Sequence, residues 1–248
     1  MMREMLFLEE TSGTNAYCRA HFDELADGAV VYSTNQTNGR GRLGRTWLNA
    51  PGHALYYSQV IKRPLANPAC LPLAASLGVE DALERMYGIA AQIKWPNDLL
   101  LNGRKLAGIL CEGIMRDGSI AGYIFGVGIN LSQSEAFFER NGLEHATSVF
   151  VETGEKPRDI GALALAVTEG VSAVLSCFAT EGFAPLRGEY RVRCVNLLRE
   201  VSSGDVRGVA TDVDLEGRLV VRTEGGEVKV FTGEVSVDGI YGYLEHID

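Results

Sequence analysis

Apolar residues along this chain repeat with two spacings, and the two divide it into elements. Cys18, Phe22 and Leu25 stand at i, i+4 and i+7, which predicts a helix over Thr14–Leu25, with Gly28 as its stop. Val30–Tyr32 is a short apolar run and predicts a strand. From Leu55 to Ile61 both alternating sets are apolar or small and polar, as in a strand covered on both faces; Pro64 closes it. Leu73–Met86 is apolar nearly all round and predicts a buried helix ending at Gly88. Three strands are expected next, at Ala91–Trp95, Leu106–Glu112 and Tyr123–Asn130. The Asn102-Gly103 and Asp117-Gly118 pairs between them are hairpin signals, so the strands should run antiparallel, with Asp98–Leu101 pairing locally against Lys105–Ile109. Ser132–Glu155 is polar and aperiodic. The clearest helix follows, with Ile160, Leu163, Val167, Val171, Val174, Leu175 and Phe178 on one stripe. Pro185 opens a second, carrying Leu186, Tyr190, Cys194 and Leu197. After Glu200 the texture changes to short valine-rich runs (Val206–Val213, Leu219–Thr223, Val228–Phe231) joined by Glu216-Gly217 and Gly225-Gly226 turns. That pattern predicts a small β barrel of about fifty residues. The expected organisation is an α+β body over residues 1–198 and a β module over 199–248.

Composition narrows the function classes. A chain of 248 residues with 46% hydrophobic content can bury one ordinary core and a smaller one. Its net charge of −9 makes it a poor nonspecific nucleic-acid binder, because such binding rests on many lysine and arginine contacts to phosphate; no DNA partner is expected. No apolar run approaches the ~20 residues of a membrane span, and MMREMLFLEE lacks the apolar core of a signal peptide. No membrane partner is expected either. The five cysteines are scattered without a CxxC, which reads as reduced thiols in the cytoplasm. The four histidines lie far apart without ligand spacing, so no metal site is expected.

Against this acidic background one stretch stands out. Between Gln36 and Trp47, Gly39, Gly41 and Gly44 alternate with Arg40, Arg42 and Arg45. Glycine weakens helices and strands alike, so the stretch is a loop. Its glycines let backbone N–H groups approach a ligand, and its guanidinium groups match phosphate or carboxylate. The plainer reading is a solvated basic turn; the sharper one is a seat for a compact anion. A second unusual string is Lys94-Trp95-Pro96-Asn97-Asp98. Pro96 ends a strand there and leaves Asn97 and Asp98 at its end, where functional polar groups tend to sit; an ordinary Pro-Asn-Asp turn is the competing reading. Lys105 then opens a strand whose Ala107 and Gly108 leave room against the backbone. A lysine there can bridge a carboxylate and a phosphate. Gly126-Val127-Gly128-Ile129-Asn130 ends another strand, without the following helix of a dinucleotide fold.

Taken in order, GRGRLGRTW, KWPNDLLL, RKLAGIL and GVGIN, followed by a small β module, resemble the biotin protein ligases along nearly the whole chain. The resemblance implies a mixed β-sheet backed by helices, class II synthetase-like, with an SH3-like C-terminal domain. It implies ligation in two steps: biotin and MgATP give biotinyl-5′-AMP, and biotin then passes to a lysine of a biotin carboxyl carrier domain. By the same resemblance, Arg40 and Arg42 bind the adenylate phosphate, Lys105 contacts the biotin carboxylate and the α-phosphate, and Arg45 assists with ATP phosphates. Asn97 and Asn130 lie near the nucleotide and Trp47 near the loop base. Asp98 orients the incoming lysine or the adenylate, so that Lys105, Arg40 and Asp98 form the catalytic set. Gly39, Gly41, Gly108 and Gly128 complete the binding surface. Thr14, Asn15 and Gln36 meet the ureido ring of biotin. Gly13 stands where the family usually has serine, so one hydroxyl contact to the ureido ring is missing, and the Gly13 backbone N–H is the group that could substitute for it. Some members carry an N-terminal helix-turn-helix domain; the short segment ahead of Thr14 implies a ligase without one. Some also dimerise through sheet edges. Two other readings stay open: a lipoyl or octanoyl ligase or transferase of the same fold, and a nonenzymatic module binding nucleic acid or protein.

Overall fold

The computed structural model describes residues 4–157, 159–231 and 233–240. A seven-stranded sheet carries the body of the protein, in the order β1-β2-β3-β7-β6-β5-β4. Its strands are β1 (Met5–Leu8), β2 (Val30–Ser33), β3 (Ala54–Ile61), β4 (Gln92–Lys94), β5 (Asp98–Leu101), β6 (Arg104–Arg116) and β7 (Ser119–Asn130). The β1–β2 pair is parallel and the remaining neighbours are antiparallel, so the sheet is mixed, as expected. The hairpins fall where the turn pairs put them. Asn102 and Gly103 have φ of 50° and 75°, and Asp117 and Gly118 have 49° and 78°, the left-handed pairs that a two-residue hairpin needs.

Alternation along the strands assigns each side chain to a face. Leu55, Tyr57, Phe125, Val127 and Ile129 point into the main core. Against them pack α2 (Leu71–Tyr87) and α5 (Ile160–Glu181). These two helices touch backbone to backbone: a Cβ on Gly78 would come within 2.5 Å of Val171 N, and one on Gly170 within 2.3 Å of Gly78 O. On the opposite face α1 (Thr14–Ala20) contributes Cys18, and the turn after it Phe22 and Leu25, to a smaller core with Val31, Val60 and Ile124. The rest of that face holds the site.

Several expectations need correction. The first helix stops at Ala20, and residues 21–25 continue as turns that still bury Phe22 and Leu25. Short helices α3 (Glu135–Arg140) and α4 (Val149–Thr153) occupy the stretch read as aperiodic, each begun by a serine whose side chain accepts from a backbone N–H. The edge strand β1 gave too short an apolar run to register. Among the described residues one helix, α5, is with its 22 residues long and apolar enough to cross a bilayer by length and composition. Polar residues such as Thr168, Glu169 and Ser172 break the run in sequence, yet the helix packs in the core, where Thr168 meets the Tyr57 hydroxyl at 3.0 Å.

After α6 (Ala184–Arg193), strands β8 (Glu200–Ser203), β9 (Val206–Val213), β10 (Leu219–Thr223), β11 (Gly226–Val230) and β12 (Ser236–Val237) form an antiparallel sheet in the order β11-β10-β9-β8-β12. It is seated on the body by named contacts. Buried Trp95 donates its indole N–H to Gly217 O at 2.9 Å, and Arg187 Nε donates to Val213 O at 2.6 Å. The last residues of the expected module, 241–248, lie outside the described residues.

Candidate active site

Glycines on the open face of the sheet make the site possible. In the β6–β7 register Gly108 faces Gly128 and Leu110 faces Gly126. Trp47, arriving from the arginine loop, lies over the first pair: a Cβ on Gly108 or Gly128 would come within 2.6 or 2.7 Å of its ring. Asn15 fills the place above Gly126, where a Cβ would stand 2.1 Å from its amide oxygen. A side chain on any of the three would strike a group that lines the cavity. The cavity above this floor has a volume of about 860 Å³ and runs from the start of α1 to the C-terminal sheet.

Its inner end is lined by uncharged amides and hydroxyls that are densely hydrogen-bonded, with one ion pair beside them. Gln36 Oε1 accepts from Thr14 N at 3.1 Å, and the Ser58 hydroxyl stands 2.7 Å from Thr14 Oγ1 and 2.6 Å from Asn15 Oδ1. Asn15 donates to Glu112 Oε2 at 2.7 Å, and the other carboxylate oxygen, Oε1, pairs with Arg19. Gly13 lines this end, its N–H directed to Thr11 Oγ1 at 3.2 Å. The polar groups are thus fixed before any ligand arrives.

The other end is charged. Lys105, at the start of β6, forms an ion pair with Asp98 at 2.8 Å and sits 5.4 Å from the Trp47 ring centre. Arg42 donates to Asn97 Oδ1 at 3.0 Å, while Asn97 donates to Ile109 O at 2.9 Å. Asn97 therefore ties the arginine loop to the sheet. Burial lowers the Arg42 pKa, against the pull of Asp98 and Glu234. Arg45 pairs with Glu234 of the C-terminal module, and Arg40 lies exposed at the rim. His145 lines the far wall, its pKa lowered by burial first and by Lys105 and Lys94 after it. Asn130 is buried there, donating to Thr147 O at 3.0 Å and accepting from Gln133 at 2.9 Å, so it braces the wall.

The fold brings together every residue expected in the site except Gly39. That glycine stands one layer back, where a Cβ would come within 2.5 Å of Gln36 Nε2 and 2.7 Å of Trp47 O. Sequence reasoning missed Lys94, Ser58, Glu112, His145 and Glu234, all of which line the cavity or bond to residues that do. Only Lys94 carried a signal, as the first residue of the string around Trp95. The others sit in runs without a distinctive pattern and are assembled by tertiary structure. Such a cavity can hold a neutral, hydrogen-bonding ring at one end and a phosphate-bearing group at the other, with an acyl carboxylate between them near Lys105.

Comparison with known proteins places the chain in a family. Residues 7–130 match the model of the biotin/lipoate A/B protein ligase family, and residues 193–238 that of the biotin protein ligase C-terminal domain. The chain belongs to the biotin/lipoate A/B protein ligase family. It is 32% identical over 249 residues to the biotin–[acetyl-CoA-carboxylase] ligase of Paracoccus denitrificans, covering 94% of this chain and 100% of that protein. It is 30% identical to the bifunctional ligase/repressor BirA of Bacillus subtilis over 85% of this chain, and spans 66% of that protein. Among solved structures it resembles the biotin protein ligase from Aquifex aeolicus in complex with biotin and ATP, with a TM-score of 0.83 and 29% identity, covering 95% of this chain and 99% of that one.

Proposed function

We propose that this protein is an ATP-dependent biotin protein ligase that forms biotinyl-5′-AMP and passes biotin to one lysine of a biotin carboxyl carrier domain. The observation that carries the reading is the Lys105–Asp98 pair, set between a neutral hydrogen-bonding recess and an arginine loop. Biotin enters with its ureido ring among Thr14, Asn15 and Gln36; the Gly13 N–H is already given to Thr11 Oγ1 and does not replace a serine hydroxyl. Its carboxylate then reaches Lys105. ATP brings its phosphates to Arg40, Arg42, Arg45 and Lys105, and magnesium arrives with the nucleotide. Among the described residues no three His, Cys, Asp or Glu gather as a cage for it.

The chemical task is positioning and charge neutralisation. Carboxylate and triphosphate repel each other, and the lysine and arginines offset that repulsion through charge-assisted hydrogen bonds, each worth about 1.5–3 kcal/mol. Holding both reactants together contributes up to ~7–11 kcal/mol toward the barrier. The carboxylate attacks the α-phosphate and pyrophosphate leaves. Asp98, at the same strand end, then orients the carrier's lysine toward the acyl carbon, and AMP is the leaving group.

A lipoyl substrate is disfavoured by the inner recess, whose amides and hydroxyls suit ureido N–H and C=O groups better than a dithiolane. The match of residues 193–238 to a biotin ligase C-terminal domain supports the same choice. We assign the boundary between the two units to residue 198, an SH3-like topology to the second, and a cytoplasmic setting that suits the five free thiols. The test is exchange of labelled pyrophosphate into ATP. Exchange that requires biotin, and is not supported by lipoate, is the expected result; exchange with lipoate alone, or with neither, contradicts the proposal.

A further inference from the structure

Lys105 stands second in β6, and the main ladder sets its backbone only in part. β7 pairs with β6 only from Ala107 onward. Towards β5 the register slips between Leu99 and Leu100, which leaves Leu106 as an extra residue just after Lys105. A bulge of this kind turns a side chain in a new direction. The neighbour that β7 does not provide is supplied by residues 145–147, which pair in parallel with Ala146 facing Lys105. His145 O accepts from Lys105 N at 2.8 Å, and Thr147 N donates to Lys105 O at 2.9 Å. Lysine carries its charge on a flexible stem, so the place its ammonium reaches depends on this backbone seat.

One buried carboxylate locks the seat from behind. Glu152, on α4, has a side chain only 6% exposed, and it does not line the cavity. A carboxylate buried to this degree is costly unless donors match it. Its donors come from both sides of the seat. Oε1 accepts from Thr147 Oγ1 at 2.6 Å and from Arg104 Nη2 at 2.7 Å, and Oε2 accepts from Asn102 Nδ2 at 2.5 Å. Thr147 belongs to the segment that pairs with Lys105. Asn102 and Arg104 belong to the β5–β6 hairpin that leads into it. Arg104 also meets Glu135 of α3, but at 3.4 Å and at an exposed carboxylate. Resting on the ligase reading, we propose that Glu152 is a positioning residue for adenylation: by tying Thr147 to the hairpin it fixes the point from which Lys105 reaches the biotin carboxylate and the α-phosphate. Its effect passes through Lys105 and not through contact with substrate. A reacting group displaced by about 1 Å can cost on the order of 100-fold in rate.

The experiment is a double-mutant cycle on the whole protein, read as biotin-dependent exchange of labelled pyrophosphate into ATP. Glu152→Met keeps the length of the side chain and removes its acceptors; it is expected to lower the exchange rate roughly tenfold. Glu152→Gln keeps one acceptor oxygen and should lose only about threefold. In a Lys105→Ala background the same two changes should lower the residual rate by less than about twofold, because the group that Glu152 positions is gone. Amide hydrogen exchange of residues 105 and 147 should quicken in Glu152→Met while α2 and α5 stay protected. If Glu152→Met fails to fold, the cycle with Glu152→Gln still decides the matter. An unchanged rate in the Glu152 variants, or a loss by the same factor with and without Lys105, would overturn the positioning role while leaving the ligase reading intact. Unchanged hydrogen exchange at residues 105 and 147 would overturn it as well. A wild type without biotin-dependent exchange would overturn the ligase reading, and this assignment with it.

Discussion

At the scale of single residues the site depends on a few pairings, and each can be broken separately. Lys105 is held by Asp98 and lies beside Trp47. Replacing it with alanine removes the cation between carboxylate and phosphate while sparing the core. Lys105→Ala is therefore expected to lower biotin-dependent adenylation roughly 10- to 100-fold, the scale of a lost interaction to a charged group, with the melting temperature nearly unchanged. Near-normal pyrophosphate release would refute its role. Arg42 is the arginine that Asn97 ties to the sheet. Arg42→Gly should loosen the loop and speed escape of biotinyl-AMP, measured as adenylate dissociation; an unchanged rate would show that the loop does not retain the intermediate. Arg40, Arg42, Lys105 and Asp98 were legible in the sequence, because rare types in rare strings announce themselves. Ser58 and Glu112 were not. Each lies in an ordinary strand, and its place at the recess follows only from the register that sets Ser58 beside Gly126 and carries Glu112 toward Asn15.

At the scale of elements, close approach decides the architecture. The α2–α5 crossing is so tight that Gly78 and Gly170 leave no space for a methyl group. Gly170→Ala would gain roughly 1 kcal/mol of helix propensity but force apart two backbones, at about 1–3 kcal/mol or more. Net destabilisation is expected, read as a fall of several degrees in thermal melting; a rise would show that the helices slide apart without strain. The glycines of β6 and β7 act similarly toward Trp47. Gly128→Val should displace the indole and weaken binding at the cavity floor while both strands persist. Helices and hairpins were largely readable from period and turn pairs, since α2, α5, β9 and β10 each repeat a clear spacing. The short helices α3 and α4 were hidden because a one- to two-turn helix offers too few positions to show a period. Their serine caps were the readable sign.

At the scale of the whole molecule, the string around Trp95 joins body and module. Its indole N–H bonds the β9–β10 turn at Gly217, and its backbone N–H bonds Asn196 Oδ1 at 2.7 Å. Glu234 reaches from the module to Arg45. Asn196→Ala leaves the buried Trp95 N–H unpaired on the body side of the joint and should cost about 1–3 kcal/mol, seen as a lower denaturation midpoint; no change would mean that the N–H finds another partner. The sequence marked a β module after Glu200 but not its contribution to the cavity, because the Arg45–Glu234 contact spans most of the chain.

The central claim is that this cavity activates biotin and delivers it to a carrier lysine. The most direct measurement is the intact mass of a biotin carboxyl carrier domain after incubation with the protein, MgATP and either biotin or lipoate. The account predicts a biotin-sized gain on one lysine that requires ATP and disappears with Lys105→Ala. A lipoate-sized gain, or no gain from biotin while pyrophosphate exchange proceeds normally, would contradict it.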